Sequence, residues 1–234
     1  MAPVETRLVV TCEHGGRDVP ARYAYLFDGR EDLLASHRGW DAGALALATE
    51  ISRRLGAPLV SATTTRLLVD LNRSLGHRGL FSEVSRSLGR ADREELLAQH
   101  YRPYRDRVLA EVTATAREAV ALHLSVHSFT PVLRGIVRRA DLGLLYDPAR
   151  RPEERFCARW RRLLRARLEG SSVLRNSPYR GACDGLTTDL RKRFPPQRYL
   201  GIELEVNTRH LGPAGELDAA IGAAVIETLA EAMR

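Results

Sequence analysis

Lysine is almost absent from this chain. Of 36 basic residues only Lys192 is a lysine, and all the others are arginines. Arginine carries its charge on a planar fork suited to carboxylates and phosphates. The formal net charge of +7 admits a nucleic-acid partner. The arginines are spread through predicted helices, however, and are not grouped with aromatics. Codon bias in a GC-rich genome explains them more simply. Cysteine is scarce too: Cys12, Cys157 and Cys183 are widely spaced and form no CxxC pair. An odd, scattered set argues against a disulfide framework and a cysteine-built zinc finger. No apolar run approaches the roughly 20 residues that span a bilayer, and no basic-then-apolar leader opens the sequence. There is no fixed-period repeat and no low-complexity block. No GxGxxG or GxxxxGKS/T motif opens a helix after a strand, so nucleotide binding gets little support. What remains is the expectation of a soluble, cytoplasmic, bacterial-type protein with neither a membrane nor a nucleic-acid partner.

What is present is an alternation of strand-like and helix-like segments across 234 residues that are 44% hydrophobic, enough for one domain with a sizeable core. Leu8–Cys12 reads as a buried strand, broken by Gly15-Gly16 and Pro20. Asp41–Leu55 has helical spacing and stops at Gly56. Pro58–Ser61 and Arg66–Leu71 read as further strands, and Ser74–Arg90 as a functional loop or lid. Glu94–Ala119 is a long helical pattern with a possible break at Pro103. Strands are expected at Val120–Val126, Leu142–Tyr146, Ser172–Leu174 and Tyr199–Val206, with helices at Glu153–Leu168 and Gly215–Met233. This order predicts a single domain over residues 1–234: a three-layer α/β/α sandwich on a mostly parallel mixed sheet.

The residues with chemistry gather at the ends of these segments. Glu13-His14 follows the first strand, and Asp41 opens the first helix. Asp70, Asn72 and Arg73 close the Arg66–Leu71 run. His123 and His127 end another strand, and Glu203 and Glu205 lie in the last. In α/β sheets the carboxyl ends of strands are where ligands bind. Metal-assisted hydrolysis needs three nitrogen or oxygen ligands and an open position for water. His14, Asp41 and His127 suit that task, with Glu205 as the base. The same residues have plainer readings. His14 could be a loop histidine, Asp41 a helix N-cap, and His123 or His127 a hydrogen-bonded core group. Period 2 puts positions 123, 125 and 127 on one face, and likewise 203 and 205. Two carboxylates on one face of an inner strand need cations nearby. Asn72 and Arg73 are placed to bind a carboxylate; Arg66, Arg134, Arg138 and Arg139 lie near other strand ends. Cys12 reads as a small buried hydrophobe, with a nucleophile as the alternative.

With those residues in view, the chain resembles the N-formylglutamate amidohydrolase family. The segments that carry the likeness are VTCEHGGRDVP, HRGWDAGALALA, TRLLVDLNRS, HLSVHSFTPVLRG, RRADLGLLYD, NSPY and GIELEVN, in order from residue 10 to residue 207. The resemblance implies a sheet like that of zinc carboxypeptidases and aspartoacylases. It implies Zn2+ as cofactor and a small N-acyl amino acid as substrate, with Asn72 and Arg73 on the substrate carboxylate and Glu205 handling protons. It makes N-formyl-L-glutamate the expected substrate, cleaved to formate and glutamate. Arg66 and Arg138 are the further substrate candidates, and Glu203 the second catalytic carboxylate. One departure stands out: the carboxypeptidase HxxE is missing, since Arg17 lies three residues after His14. The carboxylate ligand must come from Asp41 or, second, Glu13. Three rivals stay open: a peptide or cell-wall amidase on the same fold, a nucleic-acid-binding module, and a cysteine hydrolase built on Cys12.

Overall fold

In the computed structural model, which describes residues 5–234, six strands form one sheet. They are β1 (Thr6–Cys12), β2 (Leu59–Ser61), β3 (Val120–Phe129), β6 (Leu142–Leu145), β7 (Val173–Arg175) and β8 (Tyr199–Asn207). Residues 1–4 of the expected domain lie outside the described residues. The strand order is β2-β1-β3-β8-β6-β7. All neighbouring pairs are parallel except β8 with β6, which run antiparallel. A small hairpin, β4 (Val132–Leu133) with β5 (Ile136–Val137), stands apart from the sheet.

Helices cover both faces. A short helix α1 (Glu31–Ala35) lies early in the chain. On one face α2 (Ala44–Leu55), α5 (Arg151–Arg167) and α7 (Ala219–Met233) pack against Leu8, Val10, Cys12, Leu122, Leu124, Val126, Ile202 and Leu204. Trp160 is fully buried there, and its indole N–H donates to Thr228 at 3.0 Å. On the other face α4 (Arg102–Glu118) and α6 (Leu186–Arg193) enclose a smaller apolar cluster around Val9, Tyr104, Val108, Ala121 and Tyr199. The central strands are thus buried on both faces, as parallel strands under helices must be. Alternation then divides their residues. The first face is apolar through the middle of the central strands and carries Ser128 at the end of β3. The second carries Thr11, Glu13, His123, Ser125, His127, Glu203 and Glu205 beyond its apolar base.

Three segments differ from their sequence reading. Arg66–Leu71 is a series of turns, not a strand, with Leu68 N–H bonded to Thr65 and Arg73 N–H to Asp70. Leu67 and Leu68 sink into a satellite cluster with Tyr23, Phe27, Val84 and Leu88, while Val69 and Leu71 join the cluster under α4. A short apolar run has no periodicity that separates a strand from a buried turn. Asp41 does not cap α2: the cap position is Gly43, at φ 77°. The long central helix begins at Arg90 as α3 (Arg90–Leu96) and passes through a π-helical turn at Leu97–Tyr101 into α4. Pro103 falls just after that turn. The wider turn absorbs its missing N–H without ending the helix.

Register sets the neighbours of Glu205. His127 is opposite it on β3 and Gly143 opposite it on β6. A Cβ on Gly143 would meet the Ser177 carbonyl oxygen at 2.2 Å and the Glu205 Cβ at 3.2 Å. Gly143→Ala is therefore expected to destabilise the fold by about 1–3 kcal/mol, read as a lower urea midpoint. An unchanged midpoint would show that Ser177 moves aside freely.

Candidate active site

The carboxyl ends of β1, β3 and β8 come together at one end of the sheet. Beyond Cys12, the backbone places Glu13 and His14 and then turns through Gly15-Gly16. A Cβ on Gly16 would lie 2.6 Å from the Thr63 carbonyl oxygen, so this turn packs too tightly for a side chain. The Asp41 backbone N–H donates to the His14 carbonyl at 2.9 Å, which pins the loop before α2 beside β1. His14, Asp41 and His127 then offer one ligand atom each, all within 4.8 Å of one another.

Their hydrogen bonds define how the rings point. Asp41 Oδ2 lies 2.8 Å from His127 Nδ1 and 3.4 Å from His14 Nδ1. The far nitrogens of both rings face other carboxylates. His14 Nε2 is 2.8 Å from Asp70 Oδ1, and His127 Nε2 is 3.1 Å from Glu13 Oε2. Arg66 bridges the set, donating to Asp41 Oδ1 at 3.2 Å and Asp70 Oδ2 at 2.8 Å. His14 Nδ1 is buried and has no hydrogen-bond partner. It points at the gap where Asp41 and His127 converge. An orphaned imidazole nitrogen, a carboxylate oxygen and a second imidazole, each braced from behind, make the donor set of a divalent-metal site.

Electrostatics agree with that chemistry. Burial opposes ionisation of Asp41, yet the His14 charge and the His127 hydrogen bond outweigh it and hold Asp41 well below the usual carboxylate range. Asp70 is held down in the same way, by Arg66 and His14 against burial. Burial also opposes a charge on His127, but its hydrogen bonds to the Asp41 and Glu13 carboxylates raise its pKa well above normal. The cluster thus demands a positive charge between acids. A proton on His127 supplies one, and so would a metal ion.

Glu205 is the opposite case. Burial, the largest cause, raises it from 4.5 to about 8; His127 pulls downward, and Asp41 and Glu203 push upward. Its Oε2 is buried without a partner. Glu203 accepts from the Thr187 hydroxyl at 2.7 Å. Both line a cavity of about 370 Å³ with His14, His127, Arg66, Asn72, Arg73, Tyr179, Arg180, Cys183 and Asp184. Asn72 uses its Oδ1 to accept from Leu186 N–H at 2.7 Å, which turns its amide N–H2 to other partners. Arg73 donates to the Asp184 carbonyl at 2.8 Å. Arg138 lies outside that lining, with its guanidinium over the rings of Tyr179 at 5.0 Å and Phe129 at 5.7 Å.

Eight of the sequence-derived residues therefore meet in one place: His14, Asp41, His127, Glu203, Glu205, Asn72, Arg73 and Arg66. Arg138 reaches only its rim, through Tyr179. Arg66 spends its fork on Asp41 and Asp70. Tyr104, Ser125, Thr187 and Arg180 are site neighbours that sequence reasoning did not single out. Arg180 directly follows the NSPY segment, whose last residue is Tyr179, a signal that was available. Tyr104 sits in a helix, where a tyrosine reads as core. His123 is a core group: it bonds Thr11 and Tyr199, and burial lowers its pKa to about 4.

Two nucleophile readings fail on geometry. Ser125, His127 and Asp41 are spaced like a Ser-His-Asp triad, with Ser125 Oγ 2.8 Å from His127 Nε2. Ser125 is fully buried, however, and gives its proton to Glu13 at 2.6 Å. No substrate reaches it. Cys12 is also fully buried, on the apolar face, and burial pushes its thiol pKa well above normal. It is not a thiolate at neutral pH.

A family model of the N-formylglutamate amidohydrolases matches residues 6–211. The chain belongs to that family, and is accordingly a hydrolase of amide bonds. Among solved structures it is similar to a gene product of Agrobacterium tumefaciens, at 27% identity and a TM-score of 0.81, covering 98% of this chain and 91% of the other. It also shares its fold with an N-formylglutamate amidohydrolase from Ralstonia eutropha, at 23% identity and a TM-score of 0.72, covering 99% of this chain and 94% of the other. A search of curated proteins gives no match. No helix among the described residues is long and apolar enough to cross a membrane.

The displaced Glu205 has a consequence for stability. The folded chain keeps this proton up to about pH 8, whereas an unfolded glutamic acid loses it near 4.5. Between those values the native state binds the extra proton, so stability falls as pH rises, by at most about 1.4 kcal/mol per pH unit. Glu205→Gln removes this dependence. In metal-free protein the variant's Tm should gain on the parent's steadily from about pH 5 to pH 8. A flat difference would rule out a protonated Glu205.

Proposed function

We propose that the chain is a zinc-dependent amidohydrolase that cleaves a small N-acyl amino acid, N-formyl-L-glutamate, to formate and glutamate. The observation that carries this reading is the convergence of His14 Nδ1, Asp41 Oδ2 and His127 Nδ1 beside a cavity lined by Glu205. His14, Asp41 and His127 would hold the metal. When bound, such an ion polarises a carbonyl and brings a water molecule's pKa to about 7.

The chain's own residues do the rest. Glu205 holds its proton in the metal-free site; it acts as the base in its carboxylate form, which a neighbouring cation would favour, taking a proton from water at its free Oε2 and passing it to the leaving amine. Arg73 and the Asn72 amide anchor the substrate's α-carboxylate. Arg180, which lines the cavity and is exposed, is better placed than Arg138 for a second carboxylate. Arg66 stays on Asp41 and Asp70, so its contribution is to hold the site together. A cavity of about 370 Å³ suits a small molecule better than a peptide or a cell-wall stem. On the surface, Arg22, Arg38, Arg53, Arg151 and Arg167 are paired with carboxylates, which favours a small-molecule enzyme over a phosphate-binding face.

Formate release from N-formyl-L-glutamate, followed before and after removal of metal by a chelator, tests the proposal. Activity is expected to vanish on chelation and return with zinc; persistence would overturn the metal mechanism. Glu205→Gln should lower kcat by about 100-fold or more while leaving the metal content unchanged. Arg73→Ala should act mainly on KM, raising it roughly 10- to 100-fold for the loss of a charge-assisted hydrogen bond. An Arg73→Ala variant with unaltered KM would remove that residue from substrate binding. Turnover of other N-acyl amino acids in preference to N-formyl-L-glutamate would overturn the specificity alone.

A further inference from the structure

Glu13 lies immediately before His14, but it does not join the His14–Asp41–His127 group. It is fully buried and lies behind His127, on the side of the ring away from Asp41. Counting hydrogens shows what it does there. A carboxylate only accepts. Tyr104 gives its hydroxyl hydrogen to Glu13 Oε1 at 2.8 Å, a closer partner than the Val60 carbonyl at 3.3 Å. Ser125 lies 2.6 Å from Glu13 Oε2, a separation that requires a hydrogen between the two oxygens. Only Ser125 can supply it. That spends the serine's single hydrogen, so Ser125 Oγ meets His127 Nε2, at 2.8 Å, as an acceptor. Glu13 Oε2 is the other neighbour of that nitrogen, at 3.1 Å. Both neighbours accept, so His127 Nε2 must carry a hydrogen.

This matters because His127 sits between two competing carboxylates. Asp41, 2.8 Å from Nδ1, favours a proton on the nitrogen that a metal would need. Glu13 favours it on the opposite nitrogen. We propose that Glu13, held by Tyr104 and Ser125, is a positioning residue that locks His127 in its Nε2–H form and presents the Nδ1 lone pair to a divalent cation beside Asp41. Asp70 does the same for His14, accepting at Nε2 with Arg66 and the Asn72 N–H on its other lone pairs. The two brackets differ in setting. Asp70 is tied by a guanidinium, whereas Glu13 is tied by two neutral hydroxyls and keeps its full charge for His127. The proposal rests on the metal reading of the site.

Calorimetric titration of zinc into metal-free parent and Glu13→Gln protein tests it. The substitution keeps the size of the side chain and removes the charge. Zinc affinity is expected to fall about 10- to 100-fold, with the Tm of the metal-free variant showing that it still folds. Nitrogen-15 spectra of histidine-labelled, zinc-loaded parent protein should show His127 protonated at Nε2 and metal-bound at Nδ1. This measurement needs no variant, so it decides the matter even if Glu13→Gln does not fold. Affinity within threefold of the parent, or His127 bound through Nε2, would overturn the role of Glu13 and leave the metal centre standing. A parent protein that binds no zinc would overturn both.

Discussion

Everything at this site depends on how buried charges are compensated. Glu13, His14, Asp41, Asp70, His127 and Glu205 all lie inside the molecule, where an isolated ion is costly. Each of the first five is matched. Asp41 faces two imidazoles and Arg66, Asp70 faces His14 and Arg66, and Glu13 collects Tyr104, Ser125 and His127. Glu205 is the one left without a matching donor, and it responds by holding its proton. Under the proposed function, that division would separate the groups that hold a cation from the group that moves protons. Removing one partner from such a network leaves its neighbour as an uncompensated buried charge, so the cost of a substitution here exceeds the worth of the contact removed.

The sheet makes this arrangement possible. Its two faces are chemically different because side chains alternate along each strand. Leu122, Leu124 and Val126 point into the apolar layer under α2, α5 and α7, while His123, Ser125 and His127 point the other way. Parallel pairing of β1, β3 and β8 in register then lines up Glu13, His127 and Glu205 at one level. The reversal at β6 sets Gly143 against Glu205, and the missing side chain leaves room for the Ser177 backbone. Function here follows from ordinary strand geometry applied to an unusual set of residues.

Family membership adds the reaction class to what the geometry offers. The geometry in turn explains a departure seen in the sequence. There is no HxxE motif, and Glu13 faces the side of His127 away from the His14–Asp41–His127 group that could hold a metal ion. Asp41 reaches the site because its N–H is tied to the His14 carbonyl, which brings the loop before α2 against the end of β1.

Much of this was legible in the chain itself. Strand-length apolar runs located β1, β3 and β8, and a period of two predicted that Glu203 and Glu205 share a face. Residue chemistry at strand ends nominated His14, Asp41, His127, Asn72 and Arg73. Other features could not be read from sequence. Leu67, Leu68 and Val69 look like strand residues, and only their turn hydrogen bonds and their split packing, Leu67 and Leu68 beside Tyr23 and Phe27 and Val69 beside the sheet, show otherwise. Arg66 lines the cavity, and its bridge between Asp41 and Asp70 is a second connection that its place in the sequence does not reveal. Tyr104, 91 residues from Glu13, gives no sign in its helix that its hydroxyl serves the site. By itself the sequence determined which residues are polar on an otherwise buried face, because local periodicity encodes the face. Only the tertiary structure decided which nitrogen of each histidine meets which carboxylate, because hydrogen-bond partners are set by the approach of segments far apart in the chain.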